Sequence, residues 1–311
     1  MEPATATRAG SPLRAAGGRA CAAGLAARAG AGGGICAPTR CRRGRPVRNR
    51  CRRPSLVGAG VRPERAPLVV LVHGFTGSKE NWLPLMAELG DGFHVLAPDL
   101  AGWNESSRVE GGDYGVVAQA ARLEAWLDTL GARPVVLVGH SMGGHIGGLL
   151  AVRRPDLAPR LVLMSAAGVE FSENDFARLV LQGGNPFQVT SREELKRQLD
   201  LVFSDPPWVP WPVDAAMVRR RAADAGFESD VLDRVGRGPE AFALQAQLGR
   251  IEQPTLLLWC RGDQVIDVSA ADIMAAGLPD SRKVVLEGCG HMPLMEEPRR
   301  VAAALRAFIA E

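Results

Sequence analysis

Short, continuous runs of aliphatic residues, many of them β-branched, recur along the chain and limit the folds open to it. A run that is apolar at every position is typical of a strand buried on both faces of a sheet. Stretches with helical periodicity separate these runs, and strands that alternate with helices form parallel sheets covered by helices. The sequence therefore predicts an α/β fold with a mostly parallel central sheet flanked by helices. The six predicted strands are residues 67–73, 94–97, 134–138, 160–164, 255–259 and 283–286.

Two of the separating stretches carry a clear helical stripe. In the first, apolar residues recur at steps of four and three from Val116 to Leu130, and Gly131 follows as a stop signal. In the second, Pro298 marks a helix start near the end of the chain. We expect both stripes to pack into the core, and we assign them no chemistry. The stripe of the second helix consists of Val301, Leu305 and Phe308.

The first 65 residues differ in composition from the rest of the chain. They hold 14 arginines against two acidic residues, whereas the remainder carries a net charge of −9. A segment rich in Arg, Ala and Gly without an apolar pattern cannot bury a core, so residues 1–65 are predicted to form a disordered tail. A translated leader that the working protein does not need, and a basic arm that contacts acidic surfaces, remain alternatives. The acidic remainder argues against nucleic acid as a partner.

Targeting and cysteine patterns are consistent with a cytoplasmic protein. The first segment lacks the continuous apolar stretch of a signal peptide, and no apolar run of about 18 residues could span a membrane. Beyond residue 65 the only cysteines are Cys260 and Cys289, which argues against a secreted disulfide framework there. The cysteines of the first segment lack C-x-x-C spacing and a nearby histidine, so we predict no metal site.

The alternation of strands and helices lapses between residues 169 and 249. This stretch is rich in proline and aromatic residues and has no buried-strand run. We interpret residues 169–249 as a mostly helical cap over the carboxyl ends of the strands, where ligands bind in open α/β sheets. The α/β core would then comprise residues 66–168 and 250–311.

A Gly-x-Ser-x-Gly motif lies where a predicted strand meets a predicted helix. Gly139 and Gly143 flank Ser141, and the motif alone is a modest signal in a chain with 36 glycines. A sharp turn between a strand and a helix would lift the serine above the sheet, and the glycines would avoid a steric clash. Ser141 would then stand at a helix N-terminus, where free N–H groups favour negative charge. We therefore predict that Ser141 is a nucleophile.

A nucleophilic serine needs a base and an acid that orients it. Of the five histidines, His291 lies in a loop just beyond the last predicted strand, where the base of a Ser, acid, His chain order belongs. Asp263 follows the preceding strand and is the favoured acid, because the first turn past a strand points back over the sheet edge. Asp267 is close enough in sequence to compete.

An oxyanion hole would need two backbone N–H groups near the serine. The residue after the nucleophile, Met142, would supply one, and Phe75 in the turn after the first predicted strand would supply the other. His73 and Gly74 precede Phe75, and the glycine would let the backbone come close to the site. An ordinary glycine turn after a strand is the alternative interpretation of His73 and Gly74.

Taken together, these motifs resemble the α/β-hydrolase superfamily. The segments that carry the resemblance are residues 73–82, 139–144, 263–269 and 287–291. They are most similar to the branch that contains monoacylglycerol lipases and bacterial carboxylesterases. The sequence departs from the family in having Cys260 and Asn104 where glycines are usual, and in lacking two credible strands for an opening hairpin within residues 40–65.

The resemblance implies hydrolysis of carboxylic esters by water, without a metal or cofactor. In this sequence Ser141 would be the nucleophile, Asp263 the acid, His291 the base, and Phe75 and Met142 the oxyanion donors. We expect an esterase or lipase that acts on a small lipophilic ester or an acylglycerol, with transient contact to a lipid surface. Alternatives on the same triad are a carbon–carbon bond hydrolase of ring-cleavage diketones and a cofactor-free perhydrolase. A silent scaffold that binds a ligand is the non-enzymatic alternative.

Overall fold

A seven-stranded sheet forms the centre of the computed structural model, which describes residues 56, 58–61 and 66–311. These residues belong to one unit, Arg52–Glu311. The order of strands across the sheet is β1-β3-β2-β4-β5-β6-β7. The strands are β1 (Gly58–Val61), β2 (Leu68–Val72), β3 (His94–Pro98), β4 (Val136–His140), β5 (Leu161–Met164), β6 (Thr255–Cys260) and β7 (Ser281–Leu286). The helices are α1 (Leu83–Leu89), α2 (Val116–Leu127), α3 (Met142–Arg153), α4 (Asp175–Leu181), α5 (Arg192–Val202), α6 (Val213–Leu232), α7 (Ser269–Gly277), α8 (Pro293–Glu296) and α9 (Pro298–Ala310).

The predicted parallel sheet is confirmed. All six predicted strands form, and each pairs in parallel with its neighbours from β3 to β7. The carboxyl ends of these strands therefore meet at one edge of the sheet, which is where an α/β fold places its ligand site.

The strand β1 corrects the prediction for the start of the chain. It lies within residues 1–65, which were predicted to be disordered, and in the stretch where no credible strand was found. It pairs antiparallel with β3, with Gly58 opposite Pro98 and Val61 opposite Val95. An edge strand needs backbone hydrogen bonds on one side only, so it can form without the apolar run by which buried strands are recognised. The rest of the predicted tail lies outside the described residues.

The strand β7 was predicted to be buried on both faces, and this was wrong. It starts at Ser281, and Arg282 and Lys283 are exposed, while only Leu286 at its end is buried. β7 is the last strand of the sheet and has one neighbour, β6, so part of its surface faces solvent.

Two apolar layers cover the sheet because successive side chains of a strand point to opposite faces. In β2, Val70 packs in the layer that contains helices α2 and α3, whereas Leu71 packs in the layer that contains α1 and α9. The predicted stripes belong to these layers: Leu123 of α2 and Leu305 of α9 are both fully buried. Helix α2 ends at Leu127, one turn before Gly131, which takes a φ of 66° in the following turn.

Between β5 and β6 the chain leaves the sheet and forms three α-helices, α4, α5 and α6. Every residue of this segment is described, and none of them lies in a strand. The boundaries of the predicted cap, residues 169–249, remain a prediction. Among the helices of the described residues, none combines the length and the apolar character needed to cross a membrane.

Candidate active site

Ser141 occupies the sharp turn that joins β4 to α3. Its backbone has φ 54° and ψ −121°, a strained conformation for a residue with a side chain. Gly139 and Gly143 make the turn possible: a Cβ on Gly139 would lie 2.3 Å from the carbonyl oxygen of Gly143, and one on Gly143 would lie 2.2 Å from that of Val72. Gly74 packs from the neighbouring strand, where a Cβ would come within 2.9 Å of Cβ of Ser141. Only glycine fits at these three positions without a shift of the backbone.

The structure brings His291 and Asp263 together. The ring nitrogen Nδ1 of His291 lies 2.9 Å from Oδ2 and 3.0 Å from Oδ1 of Asp263. The carboxylate also accepts the backbone N–H groups of Val265 and Ile266. A carboxylate can only accept, so Nδ1 carries a proton, and in the neutral form of the ring Nε2 is then the acceptor. Asp267, the competing acid, instead accepts the N–H of Ser269 at the start of α7.

Ser141 and His291 line one cavity at the carboxyl edge of the sheet. No hydrogen bond joins their side chains among the residues that the structure describes, and such bonds often tighten only when substrate is bound. The backbone of His291 is nevertheless held on both sides. Its N–H donates to the carbonyl of Val202 at 2.9 Å, and its carbonyl lies 2.7 Å from Nε2 of His140.

His140 has a role that its position in the sequence did not suggest. It directly precedes Ser141 in the sequence, and the structure shows it holding the turn that carries His291. Burial, together with the neighbouring His291 ring, holds the pKa of His140 well below the ordinary histidine value. The ring is therefore neutral, and its Nε2–H donates to the carbonyl of His291.

The two predicted oxyanion donors flank Ser141. Met142 is the first residue of α3, so its N–H has no partner within the helix. Phe75 lies in the turn after β2, and its N–H has no hydrogen bond to any described residue. His73 holds this turn: Nε2 accepts the N–H of Leu100 at 2.9 Å, and Nδ1 lies 2.8 Å from the carbonyl of Gly74. Burial lowers the pKa of His73, so its ring is neutral as well.

Comparison with known proteins identifies the family. A model described as the alpha/beta hydrolase family matches residues 69–304, most of the chain. The chain belongs to this family. Mouse monoacylglycerol lipase ABHD6 is 29% identical over 259 residues, which cover 80% of this chain and 77% of that protein. Lipase 1 of Psychrobacter immobilis is 29% identical over 77% of this chain and 76% of its own length.

A solved structure supports the same assignment. It is described as a membrane phospholipase A and a novel bacterial virulence factor, and it is 33% identical to this hydrolase. The two superimpose with a TM-score of 0.77 over 82% of this chain and 86% of that one. The predicted resemblance to lipases and carboxylesterases of the α/β-hydrolase superfamily is therefore confirmed.

A buried ion pair that the sequence analysis missed anchors the segment after Phe75. The Nζ of Lys79 lies 2.7 Å from Oδ2 of Asp99, and the Lys79 backbone N–H donates to Oδ1 of the same carboxylate. Although burial opposes its charge, hydrogen bonds to Asp99 and Glu105 raise the pKa of Lys79. Lys79 is one of only three lysines in a chain rich in arginine, and this rarity was the one feature of the sequence that could have singled it out.

Asn104, one of the two residues that stand where the family usually has glycine, fits its position in this hydrolase. Its φ is 48°, in the left-handed region where glycine is usual and asparagine is tolerated better than most residues. Its side-chain amide donates to Asp99 at 2.9 Å and to Glu80 at 3.0 Å. The asparagine therefore keeps the turn and adds contacts to the same carboxylate that binds Lys79.

Cys260, the other departure, forms a disulfide with Cys289, and their Cα atoms lie 5.4 Å apart. The cysteine count had argued against a disulfide framework in this part of the chain, so this single bond was not foreseen. The two cysteines are separated by 29 residues. They meet because β6 and β7 are neighbours in the sheet, which the spacing of two cysteines cannot reveal.

Two cavities meet at Ser141. The first, which we call the base-side cavity, has a volume of about 430 Å³ and is lined by His291, the turn after β2, and residues of α5, α6 and the loop between them. The second, the Met142-side cavity, has a volume of about 450 Å³ and is lined by Met142 and by apolar residues of α4 and the chain after α6. Phe75 and Phe187 line both cavities. The helices between β5 and β6 thus contribute walls to both.

Proposed function

We propose that this hydrolase is a serine carboxylesterase or lipase that cleaves lipophilic esters through an acyl-enzyme on Ser141. The observation that carries the proposal is the buried hydrogen-bonded pair of Asp263 and His291, because His291 lines the same cavity as a serine on a strained turn. The side chains of Asp263 and His291 are 0% and 4% exposed, so the pair is shielded from water. The lipases among its relatives support an ester as the substrate.

In the proposed mechanism, Nε2 of His291 takes the proton of Ser141 as Oγ attacks the ester carbonyl. Asp263 stabilises the charged imidazole that results. The negative charge on the carbonyl oxygen is stabilised by the N–H groups of Phe75 and Met142, helped by the N-terminus of α3. His291 then returns the proton to the leaving alcohol. Water repeats the sequence on the acyl-enzyme and releases the acid.

The two cavities support a division of the substrate at Ser141. The alcohol must receive its proton from His291, which lines the base-side cavity and not the Met142-side cavity. We therefore assign the alcohol part of the ester to the base-side cavity and the acyl chain to the Met142-side cavity. Both cavities have mainly apolar walls and volumes typical of ligand sites, which suits an ester with a bulky group on each side, such as an acylglycerol.

Exposed aromatic residues at the mouth of the base-side cavity support transient contact with a lipid surface. Trp208, which lines this cavity, is 85% exposed, and nearby Trp211 is 75% exposed. Two exposed arginines, Arg219 and Arg220, follow in α6. Tryptophan and arginine together are typical of surfaces that bind the interface of an anionic membrane.

Replacement of the nucleophile tests the proposed function. Ser141→Ala should reduce hydrolysis of p-nitrophenyl butyrate to the background rate, because no other group can form the acyl-enzyme. A fluorophosphonate probe should label the wild-type protein at Ser141 and leave the variant unlabelled. Circular dichroism would verify that the variant is folded.

Two results would count against the proposed function. One is full esterase activity in folded Ser141→Ala. The other is a wild-type protein that cleaves a vinylogous diketone but none of a series of esters, which would favour carbon–carbon bond hydrolysis instead.

A further inference from the structure

The disulfide between Cys260 and Cys289 joins the two turns that carry Asp263 and His291. Cys260 is the last residue of β6, and the acid turn, residues 261–267, follows it. Cys289 lies in the base turn, residues 287–292, two residues before His291. Both cysteines are buried, with residue exposures of 0% and 1%. A covalent bond therefore crosses between the two turns a few residues from each member of the hydrogen-bonded pair.

The pairing of the sheet reaches the first residue of the acid turn, where the N–H of Arg261 donates to the carbonyl of Leu286 at 2.9 Å, and goes no further among the described residues. The ladder between β6 and β7 ends at the pair Cys260 and Leu286. Beyond that pair, Arg261 and Glu287 form an ion pair whose side chains are 60% and 66% exposed, and such surface pairs contribute little. Gly288 has a φ of 82°, so the base turn leaves the strand in a conformation that few residues adopt. The edge position of β7 leaves this turn without a neighbouring strand on its outer side.

Other contacts of the base turn tie it to different parts of the molecule. The N–H of His291 donates to Val202 at the end of α5, and the N–H of Gly290 donates to Glu296 in α8 at 2.8 Å. These bonds fix the backbone relative to the helices and do not set its distance from the acid turn. Four contacts of the described residues cross directly between the two turns: the disulfide, the hydrogen bonds of Asp263 with His291, the exposed pair of Arg261 and Glu287, and the packing of Gly262, where a Cβ would lie 2.9 Å from the carbonyl oxygen of Cys289. Of these, the disulfide is the covalent one.

We propose that Cys260 and Cys289 are positioning residues whose disulfide holds the His291 ring against Asp263, so that turnover requires the oxidised bond. The proposal rests on the proposed roles of Asp263 and His291. Misplacement of a catalytic group by about 1 Å can cost on the order of 100-fold in rate. Neither cysteine lines either cavity, so loss of the bond should leave substrate binding largely intact.

The double variant Cys260→Ala/Cys289→Ala separates positioning from stability. We expect kcat for p-nitrophenyl butyrate to fall by at least about tenfold, with KM within about threefold of the wild-type value. The rate of labelling by a fluorophosphonate should fall in parallel, because it depends on activation of Ser141 by His291. The measurements are made at a temperature where circular dichroism shows the variant fully folded. A disulfide that only stabilises the fold would leave kcat unchanged under these conditions.

Reduction of the wild-type full chain gives a second test that needs no variant. A dithiol such as dithiothreitol attacks one sulfur and displaces the other as a thiolate, and its second thiol then closes a cyclic disulfide. The two cysteines gain the electrons and protons that the reagent loses. Because the bond is buried, reduction is carried out in mild denaturant that is then removed, and peptide mapping confirms the state of Cys260 and Cys289. The reduced enzyme should lose activity as the double variant does, and reoxidation should restore it.

The dithiol could also act on the cysteines nearer the start of the chain. The double variant keeps those cysteines and is therefore the control, and its activity should not respond to the dithiol. A kcat within twofold of wild type in the folded double variant, or in the reduced enzyme, would overturn the proposal. If the oxidised wild-type enzyme hydrolyses no ester, the proposed function fails instead. Disulfides persist in oxidising compartments, so the bond also argues against the cytoplasmic location that the sequence favours.

Discussion

His73 and His140 adjoin the candidate active site, and each holds a backbone group of a turn that the site needs. His73 contacts the turn that carries Phe75, and His140 contacts the turn that carries His291. Burial lowers the pKa of both rings, so they act as neutral hydrogen-bonding groups. Lys79 also holds a segment beside the site, but through an ion pair with Asp99, whose side chain is 0% exposed.

Loss of the Lys79 charge should destabilise the protein strongly. Lys79→Met would leave the Asp99 carboxylate buried without its cation, which costs about 3–5 kcal/mol in the free energy of unfolding. Lys196→Met is the matched control, because Lys196 pairs with Asp200 on the surface with side chains 76% and 46% exposed. That variant should lose at most about 1 kcal/mol. Urea denaturation measures both, and equal losses would show that the Lys79 pair is not effectively buried.

At the scale of elements, the turn between β4 and α3 depends on how closely the N-terminus of α3 approaches β2. Helix α3 begins directly after Ser141, and Gly143 lies against the backbone of β2. This packing sets the position of the Met142 N–H relative to Phe75 in the turn after β2. The element contacts thus place the two proposed oxyanion donors.

Two glycines of α3 should respond in opposite ways to replacement by alanine. In Gly143→Ala the new Cβ would lie 2.2 Å from the carbonyl oxygen of Val72, so the helix start must move. We expect a loss of at least about 2 kcal/mol in the free energy of unfolding and a lower kcat. In Gly147→Ala the nearest atom would be Cδ2 of Leu137 at 3.4 Å, an ordinary contact. Alanine favours a helix over glycine by up to about 1 kcal/mol, so this variant should be as stable as wild type or more so.

Thermal or urea unfolding of the two alanine variants, with kcat for p-nitrophenyl butyrate, provides the comparison. Wild-type activity and stability in Gly143→Ala would mean that the helix start tolerates displacement. The close packing of the turn would then not be needed for the site.

At the scale of the whole molecule, the turns after the strands of the sheet provide Ser141, Asp263 and His291, and the segment between β5 and β6, helices and loops together, provides most of the cavity walls. The exposed Trp211 does not line the base-side cavity, but it lies in the chain between Pro210 and Val213, which do. A lipid surface that contacts this region would therefore face the entrance through which an acylglycerol reaches Ser141.

Removal of Trp211 should weaken binding to lipid without affecting a soluble substrate. We expect Trp211→Ser to reduce co-sedimentation with anionic phospholipid vesicles by roughly tenfold, since an aromatic anchor is lost from the interface. Hydrolysis of p-nitrophenyl acetate should stay close to the wild-type rate. Leu83→Ser replaces a residue of α1 that is 52% exposed and lines neither cavity, and it should leave vesicle binding unchanged. Equal binding by both variants and the wild type would contradict the proposed lipid contact.

The sequence by itself determined the parallel sheet and the candidate site residues. Continuous apolar runs such as residues 134–138 predict the buried strands, and the spacing of the glycines around Ser141 predicts its turn. The chain order of Ser141, Asp263 and His291, which follow β4, β6 and β7, was enough to predict that Asp263 and His291 would meet, as the structure shows. These features are local, or follow from the rule that parallel strands end at one edge.

The tertiary structure alone decided which distant groups became neighbours. Because β7 lies at the edge of the sheet, Arg282 is exposed. Because β7 pairs with β6, Cys260 and Cys289 come close enough to form a disulfide. The partner of Lys79 and the role of His140 likewise depend on segments that are far apart in the chain. A contact of this kind leaves no pattern in the local sequence, because a single cysteine, lysine or histidine does not show which residue it will contact. Each of these side chains acquires its role only when folding brings it next to its partner.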